Sequence, residues 1–211
     1  RLYLVRKITK RIIRSNHICM SKIIVPLGVD CGVAQFLKDN GLRNFSLPFD
    51  WVVSYGGIAN IIDTKFINYT HDKSVNFVHH SFPNDIETMN RRIKRFLNLL
   101  KSDDEIIFLR KGHSEHHHGE SNLIRNDLDD CEELYDTLKK NYNNLKFKII
   151  LFLVCSDCFN SHTQYDSEKV IVYNVSDKQS RSELIKKYFT DFEKQTGIRK
   201  NLENSFVHLN L

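Results

Sequence analysis

FKIILFLV, residues Phe147–Val154, is the strongest strand in the sequence. Apart from Lys148 it is apolar throughout, and it lacks the alternation of a strand that has one face in water. Two similar runs, Glu105–Arg110 and Lys169–Val175, lie on either side of it in the chain. Such runs are typical of strands that are covered on both faces, so we predict that all three belong to one largely parallel sheet.

Amphipathic helices separate these strands. The periodicity predicts one helix over Leu128–Tyr142, another over Ser180–Lys194 and a long one over residues 83–100. The basic residues between 91 and 95 are expected on the solvated face of the long helix. From residue 74 onward strands and helices alternate, which favours an α/β fold, a three-layer sandwich with a mostly parallel sheet of about five strands.

The N-terminal part of the domain is predicted to add one more strand and helix. Lys22–Val29 is a short apolar run, and Pro26 within it indicates an edge strand or an early end. Cys31–Asn40 has the apolar spacing of a helix, with Asp30 as the expected N-cap and Gly41 as the expected end.

Charge is distributed unevenly along the 211 residues. Residues 1–19 contain six Lys and Arg and no acid, whereas residues 20–211 sum to −1. We therefore expect a basic N-terminal extension, residues 1–19, and a single α/β domain, residues 20–211. The extension is suited to contact anionic surfaces. The near-neutral domain does not indicate sequence-specific nucleic-acid binding. No run reaches the roughly 18 apolar residues that a membrane span needs.

The five cysteines fall at positions 19, 31, 131, 155 and 158. An odd number of cysteines, without a secretory pattern in residues 1–19, fits reduced thiols in a reducing compartment better than a disulfide framework. We expect a cytoplasmic protein.

Cys31 is the sharpest candidate for a reactive residue. It lies where a predicted strand passes into a helix, three residues after Gly28, which permits a tight turn. The N–H groups and the partial positive charge of a helix N-terminus favour a thiolate over a thiol. The backbone N–H of Gly32 could then help to hold an oxyanion. The alternative is that Cys31 is a small buried residue at a helix start.

A thiol nucleophile needs a nearby base, and His79 and His80 are the best candidates. They end the short predicted strand Ser74–Val78, and neighbours on a strand point to opposite faces, so one of them is expected to face Cys31. Asp50 is a candidate to orient that imidazole. Alternatively, Asp50 is a turn residue that bonds its own backbone.

The carboxyl ends of parallel strands share one edge, where sites form in α/β sheets. Asp30, Cys31, His79, His80, Arg110, His113, Cys155 and Cys158 all follow predicted strands and are expected at that edge. The loop HSEHHHGE, residues 113–120, offers a weaker alternative, a metal site formed by His113, His116 and His118. Apart from that alternative we expect no cofactor.

Two motifs give the chain a family resemblance. Residues 26–34, PLGVDCGVA, and residues 42–51, LRNFSLPFDW, resemble a family of unknown function described as putative papain-like cysteine peptidases (DUF1796). Its members occur in bacteria and in large DNA viruses. The resemblance extends over roughly residues 22–155, with the weaker similarities lying toward its end.

The resemblance implies a Cys–His pair, with Cys31 as nucleophile and His79 or His80 as base. Asp50 and Trp51 match the PFDW motif of the family, and Asp30 and Arg110 are expected to support the site. The resemblance also implies a papain-like α+β fold, in which a helix opened by the cysteine packs on an antiparallel barrel. We keep that fold as the alternative to the parallel sandwich.

These observations favour a thiol-dependent hydrolase or acyl-transfer enzyme that acts on a peptide or another acyl substrate. A non-catalytic interaction domain of viral origin is the second hypothesis. In that case the protein would reside in the host cytoplasm or in the virion. The third is a metal-dependent enzyme that uses the His-rich loop.

Overall fold

The structure is a computed structural model that describes residues 22–29, 31–54, 56–113, 116–117, 124–155 and 166–176. In chain order its elements are β1 (Lys22–Pro26), α1 (Gly32–Asp39), β2 (Val53–Ser54), α2 (Ile58–Asp63), a 3-10 turn (Tyr69–His71), β3 (Val75–Asn76), α3 (Ile86–Leu99), β4 (Glu105–His113), β5 (His116–His117), β6 (Ile124–Arg125), α4 (Asp127–Asn141), β7 (Lys146–Cys155) and β8 (Ile171–Ser176).

The main sheet contains four parallel strands in the order β1-β4-β7-β8. Parallel neighbours cannot be joined by a tight hairpin. Accordingly, a helix or another long connection separates each strand of the sheet from the next in the chain. The mixed helix–strand order and the parallel sheet give an α/β fold, as predicted. The four described strands of the main sheet are all parallel, which differs from the antiparallel barrel of the papain-like alternative.

Two hydrophobic cores cover the two faces of the sheet. On one face Val33 and Leu37 of α1 pack against Ile24, Ile107 and Ile150 of the strands. On the other face the larger core combines strand residues with the buried sides of α2, α3 and α4. These faces form the three predicted layers, and among the described helices α1 is the one that covers the face with Cys31.

The N-terminal elements agree with the local sequence signals. β1 ends at Pro26 and lies at the edge of the described sheet. Gly41 follows α1 with a left-handed φ of 56°, as expected for the residue after a helix. The helix begins at Gly32, with Cys31 at its N-cap position. Asp30, the predicted N-cap, lies outside the described residues.

The strand predicted at Ser74–Val78 does not join the main sheet. Only Val75–Asn76 is extended, and it pairs antiparallel with β2. Val75 is buried and Asn76 exposed, so this segment has one face in solvent and is not covered on both. His79 and His80 therefore do not follow a strand of the main sheet, and the prediction that this strand belongs to that sheet is wrong.

Two predictions fall on residues that the structure does not describe, the basic extension 1–19 and the helix at Ser180–Lys194. Within the described part of the chain, none of the helices has the length and apolar character needed to cross a bilayer.

Candidate active site

Cys31 lies at the start of α1, directly after a strained loop. Gly28 has φ 71° and the β-branched Val29 has φ 77°, a left-handed conformation that is costly for a valine. Cys31 is half-buried and occupies the N-cap position of α1, at the positive end of the helix dipole. Strained backbone of this kind clusters at functional sites, where the surrounding structure holds it in place.

Ser54 and Arg110 hold this loop. The Ser54 hydroxyl accepts from the Val29 N–H at 3.1 Å and donates to the Leu27 carbonyl at 3.2 Å. Nη1 of Arg110 donates to the same carbonyl at 2.7 Å and to Ser54 Oγ at 3.2 Å. A side chain at Gly28 would lie 2.3 Å from Ser54 Oγ, so this approach requires glycine. The network fixes the chain that leads to Cys31.

Arg110 lies inside β4 and is fully buried, so the expectation that it follows the strand at an accessible edge is wrong. Its Nε donates to Asp127 Oδ1 at 2.9 Å, and its Nη2 contacts the same oxygen. Asp127 Oδ2 accepts from the backbone N–H of His113 at 2.7 Å. Because both charges are buried, removing either partner would leave the other uncompensated. Arg110 therefore supports the loop as part of a buried ion pair.

Asp50 is fully buried, and its carboxylate closes the turn of the PFDW motif. Oδ2 accepts from Arg43 Nε at 2.8 Å and from the Leu47 N–H at 3.2 Å. Burial raises the pKa of Asp50, and the Arg43 guanidinium opposes that rise. Its Oδ1 has no hydrogen-bond partner among the described residues. These contacts are those of the turn residue that the sequence offered as an alternative role.

Trp51 connects the PFDW turn to His79. Its backbone is left-handed, with φ 62°. Lys38 Nζ lies 5.9 Å from the indole centroid, and the Arg43 guanidinium carbon lies 5.6 Å from it. The imidazole of His79 is exposed and meets the indole edge-on, with 6.1 Å between ring centroids. His79 thus contacts Trp51, which also lies beside Lys38 in the last turn of α1. Cys31 lies at the other end of that helix.

His80 is half-buried beside Arg92. The Arg92 Nη1 donates to His80 Nε2 at 2.8 Å, which leaves Nε2 as the acceptor nitrogen. Burial lowers the pKa of His80, and the positive charge of Arg92 lowers it further. Its Nδ1 is buried without a hydrogen-bond partner in the described part of the chain. His80 is therefore a neutral imidazole whose basic lone pair is directed at a guanidinium.

The structure thus groups the predicted residues into two clusters. In the first cluster, Arg110 and Ser54 form hydrogen bonds with the segment that leads to Cys31. The second joins Asp50, Trp51, His79 and His80 through Arg43 and Arg92. A hydrogen bond between Cys31 and an imidazole stays a prediction.

Sequence reasoning missed Ser54, Asp127, Arg43 and Arg92. Asp127 carries one local signal, an acidic residue in the first turn of α4. For Ser54 the sequence gives no signal, because its partners lie 25 or more residues away.

The metal alternative finds no support from the described side chains. His113 ends β4, while His118 and the His116 side chain lie outside the described residues. Within the part of the chain that is described, no three His, Cys, Asp or Glu side chains form a group that could hold a metal ion.

Cys131 provides an internal contrast to Cys31. It lies on the buried face of α4, and burial raises the pKa of its thiol to about 12. Cys131 is therefore an inert, structural cysteine in the folded chain.

A comparison with models of known protein families gives a match over the N-terminal part of the domain. A family model described as putative papain-like cysteine peptidase (DUF1796) matches residues 22–71. The matched segment includes Cys31, Asp50 and Trp51 and ends before His79 and His80. A search of curated proteins and a search of solved structures each found no match.

Proposed function

We propose that the chain is a thiol-dependent hydrolase or acyl-transfer enzyme with Cys31 as its nucleophile. The observation that carries this proposal is the position of Cys31, half-buried at the start of α1 behind a strained loop. A buried network of Ser54 and Arg110 maintains that loop at a cost in strain. The family model that matches residues 22–71 supports the same chemistry.

The proposed reaction has two steps. The Cys31 thiolate attacks an acyl carbon, the bond to the leaving group breaks, and a thioester forms. The N–H groups at the start of α1, including that of Gly32, hold the developing oxyanion. An imidazole takes the thiol proton and gives it to the leaving group. Water, or a second nucleophile in acyl transfer, then attacks the thioester and restores the thiol.

The contacts of the two imidazoles favour His79 as the base. The acceptor nitrogen of His80 is occupied by Arg92, whereas the His79 ring is exposed. Lys38, which covers Trp51 beside His79, lies seven residues beyond Cys31, about 10 Å along the helix. The proposal therefore requires the His79 imidazole to come within hydrogen-bond reach of the Cys31 thiol when substrate binds.

The first test compares the reactivity of each cysteine in the folded and the urea-unfolded chain. Iodoacetamide is applied at pH 6, and modification is followed by peptide mass spectrometry. An ordinary thiol is well under 1% ionised at this pH. We expect Cys31 to react at least about tenfold faster in the folded chain, since the helix N-terminus favours the thiolate.

Cys131 is the matched control and should behave in the opposite way. Its burial and raised pKa protect it in the folded chain, so unfolding should accelerate its modification. If unfolding accelerates the modification of Cys31 as well, Cys31 is an ordinary buried thiol and the proposal fails.

The second test measures burst release of p-nitrophenol from p-nitrophenyl acetate. We expect Cys31→Ala to abolish the burst and Cys131→Ala to retain it. His79→Ala should slow acylation at least about a hundredfold, the usual scale of general-base catalysis. A loss confined to His80→Ala would assign the base to His80, and a burst that survives Cys31→Ala would refute the mechanism.

A further inference from the structure

A cavity of about 170 Å³ lies between α3 and Ser46, which precedes the PFDW motif. Its lining is polar and basic, and it consists of Ser46, Thr88, Arg91, Arg92 and Arg95. Neither Cys31 nor an apolar side chain contributes to it. The cavity is thus distinct from the thiol site.

Among the described residues, the three arginines of the cavity form no ion pair with a carboxylate, unlike Arg43 and Arg110. Arg43 is ion-paired with Asp50 and Arg110 with Asp127. In the same part of the chain, no carboxylate lies within ion-pair distance of a cavity arginine. Asp50 and Asp85 act on Arg92 from a greater distance, so among the described residues the cavity guanidinium groups have no carboxylate in direct contact.

Hydrogen bonds hold the cavity arginines in place. Arg91 Nη2 donates to Thr88 Oγ1 at 3.0 Å, and Arg95 Nη1 donates to the carbonyl of Ser46. Arg92 donates to His80 through Nη1, while its Nε is buried without a partner among the described groups. The guanidinium groups are thus positioned before any ligand arrives, which lowers the entropy cost of binding.

Keeping these charges together is unfavourable without an anion. Burial lowers the pKa of Arg92, and the neighbouring charges of Arg43 and Arg95 lower it further, while the carboxylates of Asp50 and Asp85 oppose that fall without cancelling it. An arginine that is half-buried among like charges, with an unused donor, is typical of a binding site for an anion.

We propose that this cavity binds the dianionic phosphoryl group of a phosphate monoester. Three guanidinium groups and two hydroxyls offer more donors than the two oxygens of a carboxylate can accept. A phosphoryl group has three terminal oxygens and close to two negative charges, and arginine forks match its geometry. The cavity volume leaves room for the ester atoms as well.

The test measures binding of inorganic phosphate and of phenyl phosphate to the full chain by calorimetry, at constant ionic strength. We expect saturable binding of both, and at least about tenfold weaker binding of acetate. Arg91→Gln removes one charge-assisted donor and should weaken phosphate binding about tenfold. A phosphoserine peptide and its unphosphorylated form then show whether the monoester is accepted on a peptide or only as a small molecule.

Lys94→Gln is the matched control. Lys94 is exposed on the same helix but does not line the cavity. Its replacement by glutamine removes the same charge as Arg91→Gln. It should leave phosphate binding within about twofold of the native chain. Equal weakening by both variants would indicate a diffuse charge effect, and acetate binding as tight as phosphate would indicate a carboxylate site. Either result, or an absence of saturable binding, overturns the proposal.

Should Arg91→Gln lower the unfolding midpoint, Arg91→Lys provides the second variant. It keeps the positive charge and loses the planar fork, so it should also weaken phosphate binding, by less than Arg91→Gln. Native affinity in Arg91→Lys together with native affinity in Arg91→Gln would likewise refute the site. Because the readout is binding alone, the result does not depend on the chemistry of Cys31.

Discussion

Burial and one contact with Arg92 both disfavour the protonated form of His80. Arg92 donates to Nε2, so the neutral imidazole carries its proton on Nδ1. Protonation would turn Nε2 into a donor, which would break that hydrogen bond and place a second positive charge beside the guanidinium. Burial and Arg92 therefore lower the pKa of His80 in the folded chain.

This lowered pKa predicts a pH dependence of stability. Between the folded pKa and the ordinary value of about 6.5, the unfolded chain binds more protons than the folded one. The free energy of unfolding must then rise with pH through that window and level off above it. We expect His80→Gln to remove this contribution, so the native chain gains stability relative to the variant between pH 5 and 7. Urea denaturation at half-unit pH intervals measures the difference.

His79→Gln is the control for this comparison. His79 is exposed and contacts Trp51 at the ring edge, so its replacement should preserve the pH dependence of the native chain. A His80→Gln variant that retained the full native slope would assign the titration to another group.

At the scale of elements, the sequence predicts well those features that are encoded locally. Pro26 lacks the N–H that an interior strand needs, and Gly41 adopts the left-handed conformation that ends α1. The pairing of β3 was not predictable in this way. An apolar run indicates extended chain, but its partner β2 is two residues long and gives no signal of its own. β4 likewise extends to His113 because it pairs with β7, although Lys111 and Gly112 do not resemble strand residues.

The β1–α1 connection yields a prediction that tests the loop network. Gly28→Ala places a Cβ 2.3 Å from Ser54 Oγ and imposes a left-handed conformation on alanine. Ser54 cannot move away without losing its bonds to Leu27 and Val29. We expect a loss of roughly 2–4 kcal/mol in the free energy of unfolding, together with slower alkylation of Cys31 at pH 6.

Gly41→Ala is the matched control at the other end of α1. Gly41 also has a left-handed φ, 56°, but it is exposed. Its replacement should cost only the conformational penalty, about 1 kcal/mol, and leave the reactivity of Cys31 unchanged. Equal costs for the two variants would show that the Ser54 contact does not constrain the loop.

At the scale of the whole molecule, three of the four missed site residues share one physical property, and the exception is Arg43, whose partner Asp50 is seven residues away. Ser54, Asp127 and Arg92 act on partners contributed by other elements, so their roles arise only when the layers pack together. The pattern of α3 predicts a solvated basic face, and Lys94 fits that reading. Packing of α3 against the PFDW segment turns part of the face into a cavity. Cys31, by contrast, could be found from sequence because the strand-to-helix transition that positions it is local.

The uneven distribution of charge leads to the last prediction. Residues 1–19 contain six basic residues, whereas residues 20–211 carry a net charge of −1. If residues 1–19 form an extension as proposed, binding of the chain to an anionic surface should depend on them. Each basic residue near such a surface contributes roughly 1 kcal/mol. Replacing all six with glutamine should therefore abolish co-sedimentation with phosphatidylserine-containing vesicles and leave the unfolding midpoint unchanged. Replacement of the exposed Lys139 and Lys140 of α4 should have little effect. If this second change weakens vesicle binding as much as the first, the folded domain itself binds the surface and the proposed division into extension and domain is wrong.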